Sequence, residues 1–555
     1  MNKLLIIFVS VVLTACGTVP ISGAIREGSI LGSISEGSIV RVIASNPQSG
    51  MTPEEIVSGF LNASASIDND FRIAREYLVP EIKNTWLPNE KIQVYDGQGR
   101  LNPLQTDTII FSAPLTSVID GQSRLVLAEP DAEVIQEFKL RQVDNEWRID
   151  LKDNGLLISQ ADLTRSFTSY PLWFPDTSLR TLVPDSVVLP KTTSGSSTRL
   201  MQLLLAGPGD YLTGAVRTAF PIGTTLALNS VPVNSALATV SLNDSVLSAE
   251  PFLREVLSAQ IVKTLLRIPE LGTVRINVGN QSLVVPNTPI RQTASLWDKF
   301  RADFTRTSDA LAIQEGKIVR IDSERITPLN NQFFTNQNWF AAVENRSGNI
   351  LAAVSADRNQ LIVQDNTTGN SQNVIVEGQS LRSPHSDIFD SIWVTGVNQV
   401  SVVSNKRVIG VGIEEVDKQN VIDVIPAPDG VRALLIISTV YGTELRLGTI
   451  VRDDQNIKIN YLRKVIRDGF FVKQAIWQDE SSILYLEDSG DIANIYSLDL
   501  FTGVSKLLHS QLGATNIASS AAKPLLVSLE DGSMIERISG DWVNRGELLN
   551  ASYPG

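Results

Sequence analysis

The sequence contains very few residues that commonly carry redox or metal chemistry. It has one cysteine, two histidines and four methionines among 555 residues. A single cysteine excludes a disulfide bond within the chain, so core packing alone must stabilise the fold. The histidines, His385 and His509, have no neighbouring histidine or cysteine at the spacing of zinc ligands. The sequence therefore predicts no metal site and no cofactor.

Linear catalytic motifs are also missing. The Gly-rich nucleotide-binding patterns and the Gly-x-Ser-x-Gly pattern of hydrolases do not occur. Ser520 and Lys523 match Ser-x-x-Lys, but the companion motifs of that catalytic set are absent. Asp68-Asn69-Asp70 lacks the further oxygen ligands of a calcium loop, which favours a turn between helices. We predict that the chain is not an enzyme, although carboxylates scattered over a fold leave no linear motif.

Long apolar runs are restricted to the N-terminus. A lysine at position 3 precedes the almost unbroken apolar run from Leu4 to Val12, which is shorter than the roughly twenty residues of a membrane-spanning helix. The next residues, Leu13-Thr14-Ala15-Cys16-Gly17, resemble the bacterial lipobox, in which the cysteine is acylated with fatty acids such as palmitate. We predict a signal peptide over residues 1–15 and lipidation of Cys16. The alternative is an incidental cysteine in an ordinary signal peptide.

Charge and composition describe a folded protein outside the membrane. Hydrophobic residues make up 43% and charged residues 19%, which are globular proportions. The formal net charge of −13 argues against nucleic acid as a partner and against electrostatic adhesion to anionic lipid. The lipid on Cys16 would therefore hold the chain on the outer, extracytoplasmic face of a cell membrane, since two acyl chains suffice for stable anchoring.

The chain after the signal predicts a tether over residues 16–47 and an α+β domain over 48–165. Thr52, Pro53 and Glu55 form the start signal of a helix, with a Thr-x-x-Glu capping box. Strand-like runs follow and end at Glu146-Trp147-Arg148-Ile149. Helices followed by such a sheet resemble the cone-shaped NTF2-like fold. No acid or histidine pair stands out, so a packing and interaction module is favoured over an active site.

Residues 166–193 are rich in Pro, Ser and Thr and predict a linker that packs on a neighbour through its aromatic residues, with Trp173 as the candidate contact between domains. Residues 194–300 predict an α/β domain with helices near 197–205 and 251–267 and strands near 225–228, 238–242 and 274–278. Gly207-Pro208, Phe220-Pro221-Ile222-Gly223-Thr224 and Val274 to Gly279 are similar to the GerMN domain of spore-germination and cell-envelope proteins. These positions are structural, so the resemblance implies a fold and not a mechanism.

Residues 305–555 predict an all-β propeller. Short β-rich pairs, such as 516–518 with 524–529, recur every forty or so residues, the period of propeller blades, and indicate five to six blades. A β-sandwich is the alternative, but it does not explain the regular spacing. Trp393 and Trp477 are predicted to fill the core between blades, with glycan stacking as the functional alternative.

The lipobox and the three domains, taken in this order, resemble the LpqB family of actinobacterial lipoproteins over nearly the whole chain. The resemblance implies a non-catalytic adaptor that binds the extracellular domain of the MtrB sensor histidine kinase. Through that two-component system, the family is expected to act in cell-envelope homeostasis and division. A protein that binds or modifies cell-wall glycan is the alternative, because fold alone does not decide function.

Replacing the thiol tests the predicted anchor. In Cys16→Ala, metabolic labelling with palmitate should fall to background, because the acylated sulfur is gone, and the protein should remain unprocessed or be shed. Thr18→Ala, two residues away, should label like the wild type. Persistent label in Cys16→Ala would show that another residue is acylated.

Overall fold

The computed structural model describes residues 44–554 except 67–70, 98, 130, 192–194, 301–308, 323–324, 367–371, 454, 467–470 and 521–522. These residues all belong to the same folded unit. Cys16 with the predicted signal peptide, nearly all of the tether and the predicted turn at 68–70 lie outside the described residues. Within the described residues, no helix is long and apolar enough to cross a membrane.

The first domain is α+β, as predicted. Its helices are α1 (Pro53–Ser64), α2 (Arg72–Glu76), α3 (Pro80–Lys83) and, after the sheet, α4 (Gln160–Ser166). Its strands are β1 (Ile92–Tyr95), β2 (Arg100–Gln105), β3 (Thr108–Ile119), β4 (Leu125–Leu127), β5 (Glu133–Val143), β6 (Glu146–Ile149) and β7 (Leu156–Ser159). The main path of the sheet is β6-β5-β3-β1-β7, with β2 and β4 also paired to β3.

Helix α1 begins where its capping box predicts. The Oγ1 atom of Thr52 accepts a hydrogen bond from the Glu55 amide (3.3 Å), and Glu55 Oε2 accepts one from the Thr52 amide (2.8 Å). These bonds satisfy two amides that the helix itself leaves without acceptors. Ile56 and Phe60 on the inner face are buried in the domain core. The cap therefore fixes the start of the helix that covers the sheet.

The second domain contains a hairpin, two helices and a small sheet. The hairpin strands are β8 (Phe167–Pro175) and β9 (Leu182–Pro190). The helices are α5 (Ser196–Ala206) and α6 (Pro251–Leu265), and the sheet has the order β10 (Val233–Asn234), β11 (Leu237–Leu242), β12 (Thr273–Val278) and β13 (Gln281–Ser282). Strands β11 and β12 are parallel, with α6 between them in the chain.

Most of the segment predicted as a linker is built into this domain. Strands β8 and β9 pair over their full length, and Leu172, Phe174 and Val187 are fully buried in the same core as α5 and α6. Trp173 is 5% exposed in that core, which also contains Val431 of the C-terminal part, so the role of Trp173 as a contact between domains stays a prediction. Both strands are buried along most of their length, and the prolines lie within the hairpin because each strand has a free edge.

One predicted strand of the second domain is wrong. Residues 225–228 form only an isolated bridge between Leu226 and Leu242. Strand β10 already pairs with the beginning of the same edge of β11, at Leu237 and Ala238. At the other end of β11 the segment makes only two backbone hydrogen bonds, from the Ala227 amide to the Ser241 carbonyl (2.8 Å) and from the Asn243 amide to the Thr225 carbonyl (3.0 Å), which form a bridge and not a strand.

The C-terminal part is a propeller with six four-stranded blades among the described residues. The first three blades contain, in chain order, β14 (Ala310–Gln314), β15 (Lys317–Ile321) and β16 (Ile326–Pro328) of blade 1; β17 (Trp339–Glu344), β18 (Ile350–Ser355), β19 (Gln360–Asp365) and β20 (Gln372–Glu377) of blade 2; and β21 (His385–Ser386), β22 (Ile392–Gly396), β23 (Gln399–Ser404) and β24 (Arg407–Ile413) of blade 3. The last three contain β25 (Val421–Pro426), β26 (Arg432–Thr439), β27 (Gly442–Arg452) and β28 (Ile457–Lys464) of blade 4; β29 (Val472–Trp477), β30 (Ser482–Asp488), β31 (Ile492–Asp499) and β32 (Val504–Leu512) of blade 5; and β33 (Ala514–Ser520), β34 (Lys523–Leu529), β35 (Ser533–Ile538) and β36 (Asp541–Glu547) of blade 6. The fourth strand of blade 1 is β37 (Leu549–Ser552). A short helix, α7 (Gln332–Thr335), precedes blade 2.

Strand β37 closes the ring. It pairs antiparallel with β14, so the last strand of the chain is the innermost strand of blade 1. Blades 3 and 4 are also joined, because their outermost strands β24 and β28 pair in parallel through residues 411–413 and 457–459. The ring therefore has no open seam at blade 1, and two of its blades form one continuous sheet.

The two tryptophans predicted to fill the propeller core, Trp393 and Trp477, are both buried, the first on the second strand of blade 3 and the other on the first strand of blade 5. Trp393 is fully buried on β22, and its Nε1 atom donates to Asp387 Oδ2 (2.7 Å). Trp477 is 5% exposed on β29, and its Nε1 atom donates to the Ile425 carbonyl of blade 4 (3.1 Å). Both indoles thus pack apolar surface between blades while satisfying their polar atom.

Removing the cap of α1 should destabilise the first domain. In Thr52→Ala, one helix amide loses its acceptor, and the free energy of unfolding should fall by about 1 kcal/mol. Urea titration followed by far-UV circular dichroism measures this change. Thr106→Ala, in the exposed turn between β2 and β3, is the matched control and should leave the urea midpoint unchanged. Equal midpoints for both variants would show that the cap contributes nothing.

Candidate functional site

The turns on one face of the propeller contact the second domain. Val431, between β25 and β26, is buried in the core of the second domain. Arg267, after α6, pairs with Glu480 between β29 and β30 (2.5 Å). Arg180, between β8 and β9, lies 5.5 Å from the ring centre of Phe389, between β21 and β22. The second domain therefore packs on the turns between the two innermost strands of blades 3, 4 and 5.

The first domain joins the second through a buried ion pair. Asp185 on β9 is fully buried and accepts hydrogen bonds from Arg124 of the first domain, the closest being Nη2 to Oδ2 at 2.7 Å. Arg124 Nη2 also donates to the Gly207 carbonyl after α5 (3.2 Å). Burial lowers the pKa of Arg124, but the hydrogen bond and charge of Asp185 raise it, and the net shift is upward. The guanidinium therefore stays charged and bound to the carboxylate.

The same carboxylate holds the loop after α5. Asp185 Oδ2 accepts a hydrogen bond from the Gly209 amide (2.8 Å), and Oδ1 accepts one from the Tyr211 hydroxyl (3.0 Å). Burial raises the pKa of the Tyr211 phenol, so the hydroxyl keeps the proton that it donates. With these partners the charge of Asp185 is neutralised by one cation and two polar donors, which a buried carboxylate requires.

Tyr211 extends the junction to the propeller. Its carbonyl accepts a hydrogen bond from Thr449 Oγ1 on β27 (2.6 Å), and the guanidinium carbon of Arg463 on β28 lies 4.5 Å from its ring centre. The domain junction, which we define as Arg124, Asp185, Tyr211, Thr449 and Arg463, thus contains residues of all three domains. Because the one carboxylate of the junction is fully hydrogen-bonded within the protein, the junction serves to hold the three domains in position.

The opposite face of the propeller carries an exposed apolar patch. In antiparallel blades, the turns between second and third strands lie at the opposite end from those that contact the second domain. Val440 and Tyr441, between β26 and β27, are 91% and 80% exposed. Phe471, before β29, is 52% exposed, and its neighbour Val472 is hydrogen-bonded to Thr443. We call Val440, Tyr441 and Phe471 the apical patch, since the hydrogen bonds between Thr443 and Val472 hold the two segments side by side at this end of blades 4 and 5.

The innermost strands line a central channel with a cavity of about 70 Å³. Its polar lining includes His385, Gln474 and Asn516. Asn516 is 7% exposed, and its Oδ1 atom has no hydrogen-bond partner among the described residues. Tyr553 donates to the Pro524 carbonyl (3.1 Å), and burial raises the pKa of its phenol. The channel therefore offers hydrogen-bonding side chains beside Trp477.

The residues singled out in the sequence do not assemble into one site. His385 lies in the channel, 3.4 Å from Asp423 Oδ2, whereas His509 lies on the outermost strand of blade 5 against Trp542. Ser520 ends β33 and Lys523 begins β34, as part of a β-hairpin. Among the described residues, no three His, Cys, Asp or Glu side chains are grouped so that they could hold a metal ion. Cys16, the predicted lipidation site, lies outside the described residues.

Sequence reasoning missed the domain junction. Arg124 and Asp185 are separated by 61 residues, and Tyr211 and Thr449 by 238. None of them belongs to a short motif, and Asp185 lies in the segment predicted to be a linker. An acidic residue between two apolar runs, as in Pro184-Asp185-Ser186-Val187, was the one local signal that a buried charge needs a partner.

Three protein-family models match the chain in succession. Residues 46–164 match the N-terminal domain of lipoprotein LpqB, and residues 171–284 match the sporulation and spore germination model named Germane. Residues 316–554 match the β-propeller domain of lipoprotein LpqB. The three matches follow the predicted order, and the predicted multidomain architecture is confirmed.

Curated proteins named lipoprotein LpqB are similar to the chain over most of its length. The protein of Thermobifida fusca is 24% identical and the match covers 98% of this chain and 97% of that protein. The protein of Cutibacterium acnes is 26% identical, with 95% and 94% covered. The protein of Mycobacterium tuberculosis is 25% identical, with 71% and 69% covered. The similarity thus extends across all three domains.

Neutralising the buried carboxylate should loosen the domain junction. In Asp185→Asn, the nearly buried Arg124 loses its counter-charge, and breaking such a pair costs about 3 to 5 kcal/mol. Urea denaturation of the full chain measures the loss. Asp150→Asn is the matched control, because Asp150 pairs with Arg141 at the surface, where ion pairs contribute about 0 to 1 kcal/mol. A wild-type midpoint for Asp185→Asn would contradict the role assigned to this residue.

Proposed function

Because the chain belongs to the LpqB family of lipoproteins, we propose that it is a lipid-anchored adaptor on the extracytoplasmic face of the cell membrane. In this proposal Cys16 carries the lipid, and the folded domains bind the extracellular domain of a sensor histidine kinase of the MtrB type. The adaptor has no catalytic step of its own. It modulates the kinase in cell-envelope homeostasis and division by stabilising one of its conformations, which requires a difference in affinity between them.

The observation that carries this proposal is the apical patch. Exposed apolar side chains that adjoin each other on a soluble surface are typical of protein-binding sites. Tyrosine is enriched among residues that dominate binding energy, because its ring buries a large area at a low cost in conformational entropy. Tyr441 and Val440 occupy the tip of a tight turn on a rigid blade, so they are ready to bind without rearrangement.

The domain junction supports an adaptor in a second way. Asp185 ties the first two domains together, and Tyr211 ties the second to blade 4. Domains joined in this manner move as one body, so a partner that binds the propeller is held at a fixed distance from the first domain. A scaffold of this kind acts by holding its partner in place, and it needs no active site.

Binding of cell-wall glycan is the second candidate. The channel supports it, since Asn516 offers a buried acceptor without a partner among the described residues and Trp477 offers an aromatic face. Sugars are bound by such neutral hydrogen-bonding groups beside aromatic rings. The cavity of about 70 Å³ is small for a sugar ring, which favours the adaptor.

Removing the apolar tip should weaken kinase binding. The detergent-solubilised chain with Val440→Ser and Tyr441→Ser should bind the immobilised extracellular domain of the kinase about tenfold more weakly than the wild type, because a central tyrosine commonly contributes 1 kcal/mol or more. Surface plasmon resonance measures the dissociation constants. Ile375→Ser is the matched control, since Ile375 is 53% exposed on the outer strand of blade 2.

Three results would contradict the adaptor. They are no binding by the wild-type chain, equal binding by the tip variant, and release of reducing ends from purified cell wall by the wild-type chain. The last result would favour the glycan alternative, in particular if substitution of one acidic residue abolished the release.

A further inference from the structure

Two cavities adjoin each other where the first domain meets blades 4 and 5. The larger measures about 280 Å³ and lies between β4 and the end of β28. The smaller measures about 180 Å³ and lies between α4, the hairpin β8–β9 and the start of β32. Leu125 lines both, and so does the loop 500–504, with Leu500 and Gly503 in the larger cavity and Thr502 and Val504 in the smaller. The two spaces are therefore neighbours along one continuous wall.

The larger cavity has a cationic side. Arg446, Arg463 and Lys464 line it, all from the adjacent strands β27 and β28. Arg446 pairs with Glu444 (2.7 Å), and Lys464 pairs with Glu444 and Glu129 (3.3 Å each). Three cations thus lie beside two carboxylates, and only Arg446 and Lys464 pair with them, in a protein whose net charge is −13. The charge of this cavity is therefore positive, whereas the net charge of the protein is negative.

Among the described residues, no carboxylate forms an ion pair with Arg463. Its guanidinium lies over the Tyr211 ring, and its buried Nε atom has no hydrogen-bond partner among the described residues. A buried donor without an acceptor is costly, and an oxyanion in the cavity would remove that cost. Arginine is well suited to phosphate, because its planar fork can donate two parallel hydrogen bonds.

The accessible wall of the smaller cavity is mostly apolar. Leu163, Phe167 and Val188 line it beside Leu125, and its polar lining consists of one lysine, Lys191, and of amide and hydroxyl side chains such as Gln160 and Thr168. Its volume equals about six waters at roughly 30 Å³ each, and apolar walls give such waters few partners. An alkyl group would fill this space more favourably, because its own apolar surface leaves water at the same time.

We propose that the two cavities form one binding site for a single-chain anionic lipid, with the head group on Arg463 and the first part of the alkyl chain in the apolar cavity. The head group would replace Glu129 as a partner of Lys464, because the Glu129 side chain is 80% exposed and can turn into solvent. The chain would pass Leu125 and continue along the loop 500–504. Because the walls belong to both the first domain and the propeller, bound lipid would strengthen the contact between them.

Native mass spectrometry of the full-length chain in micelles of a non-ionic detergent tests this site. The probes are oleoyl lysophosphatidic acid, oleoyl lysophosphatidylcholine and glycerol 3-phosphate, and the two lysolipids compete at equal amounts in the same micelles. We expect one bound lysophosphatidic acid, preferred about tenfold over the zwitterionic lysolipid, since a charge-assisted hydrogen bond to phosphate contributes that much. Glycerol 3-phosphate, which has no chain, should bind at least about tenfold more weakly for the same order of energy.

Two variants locate the lipid. Arg463→Ala should abolish the preference for lysophosphatidic acid. Because this variant also loses the contact with Tyr211, Val504→Trp provides an independent check: Val504 is 45% exposed at the mouth of the apolar cavity, and an indole there should block the chain. Arg407→Ala, at an exposed arginine on blade 3, is the matched control and should bind like the wild type.

Three outcomes would overturn the proposal. Equal occupancy by the two lysolipids would mean that the cations do not select the head group. Equal binding of glycerol 3-phosphate would mean that the apolar cavity takes no chain. Wild-type lipid binding by both Arg463→Ala and Val504→Trp would mean that the lipid binds elsewhere.

Discussion

The arrangement of the molecule depends on one buried carboxylate. Asp185 lies on a hairpin of the second domain, yet its closest partner is an arginine of the first. Its other partners fix the loop of Tyr211, and through that loop the blade that carries Thr449. The loss of one donor while the carboxylate stays buried would leave an uncompensated charge, so the ion pair disfavours a partial displacement of the domains. The interaction favours one arrangement of the domains more strongly than it favours folding of any one of them.

Local features of the fold were readable from sequence because they depend on neighbouring residues. The capping box at Thr52 specifies a helix start within four residues, and its hydrogen bonds are present. The β-rich pairs of the propeller, such as 516–518 with 524–529, form hairpins at those positions. Such signals need only the hydrophobic period and a turn, so they survive without knowledge of the rest of the chain.

Features that join distant parts of the chain were not readable. Prolines and polar residues in 166–193 suggested a linker, but pairing of β8 with β9 and burial against α6 decided otherwise. The sequence left the blade count between five and six, because blade 1 takes its innermost strand from residues 549–552, far along the chain from its other three strands. Arg124 and Asp185 look like ordinary surface residues in sequence, and the long-range packing alone brings them together.

Ring closure by β37 has a consequence for the order in which the chain acquires structure. The strand that completes blade 1 is synthesised after every other propeller strand, so β14 keeps an unpaired edge until then. The first domain draws its sheet from residues 92–159 and can form much earlier. A chain cut before β37 would therefore keep an open sheet edge on blade 1, and such edges pair readily with other chains. Strand β37 thus protects the ring against aggregation through this edge.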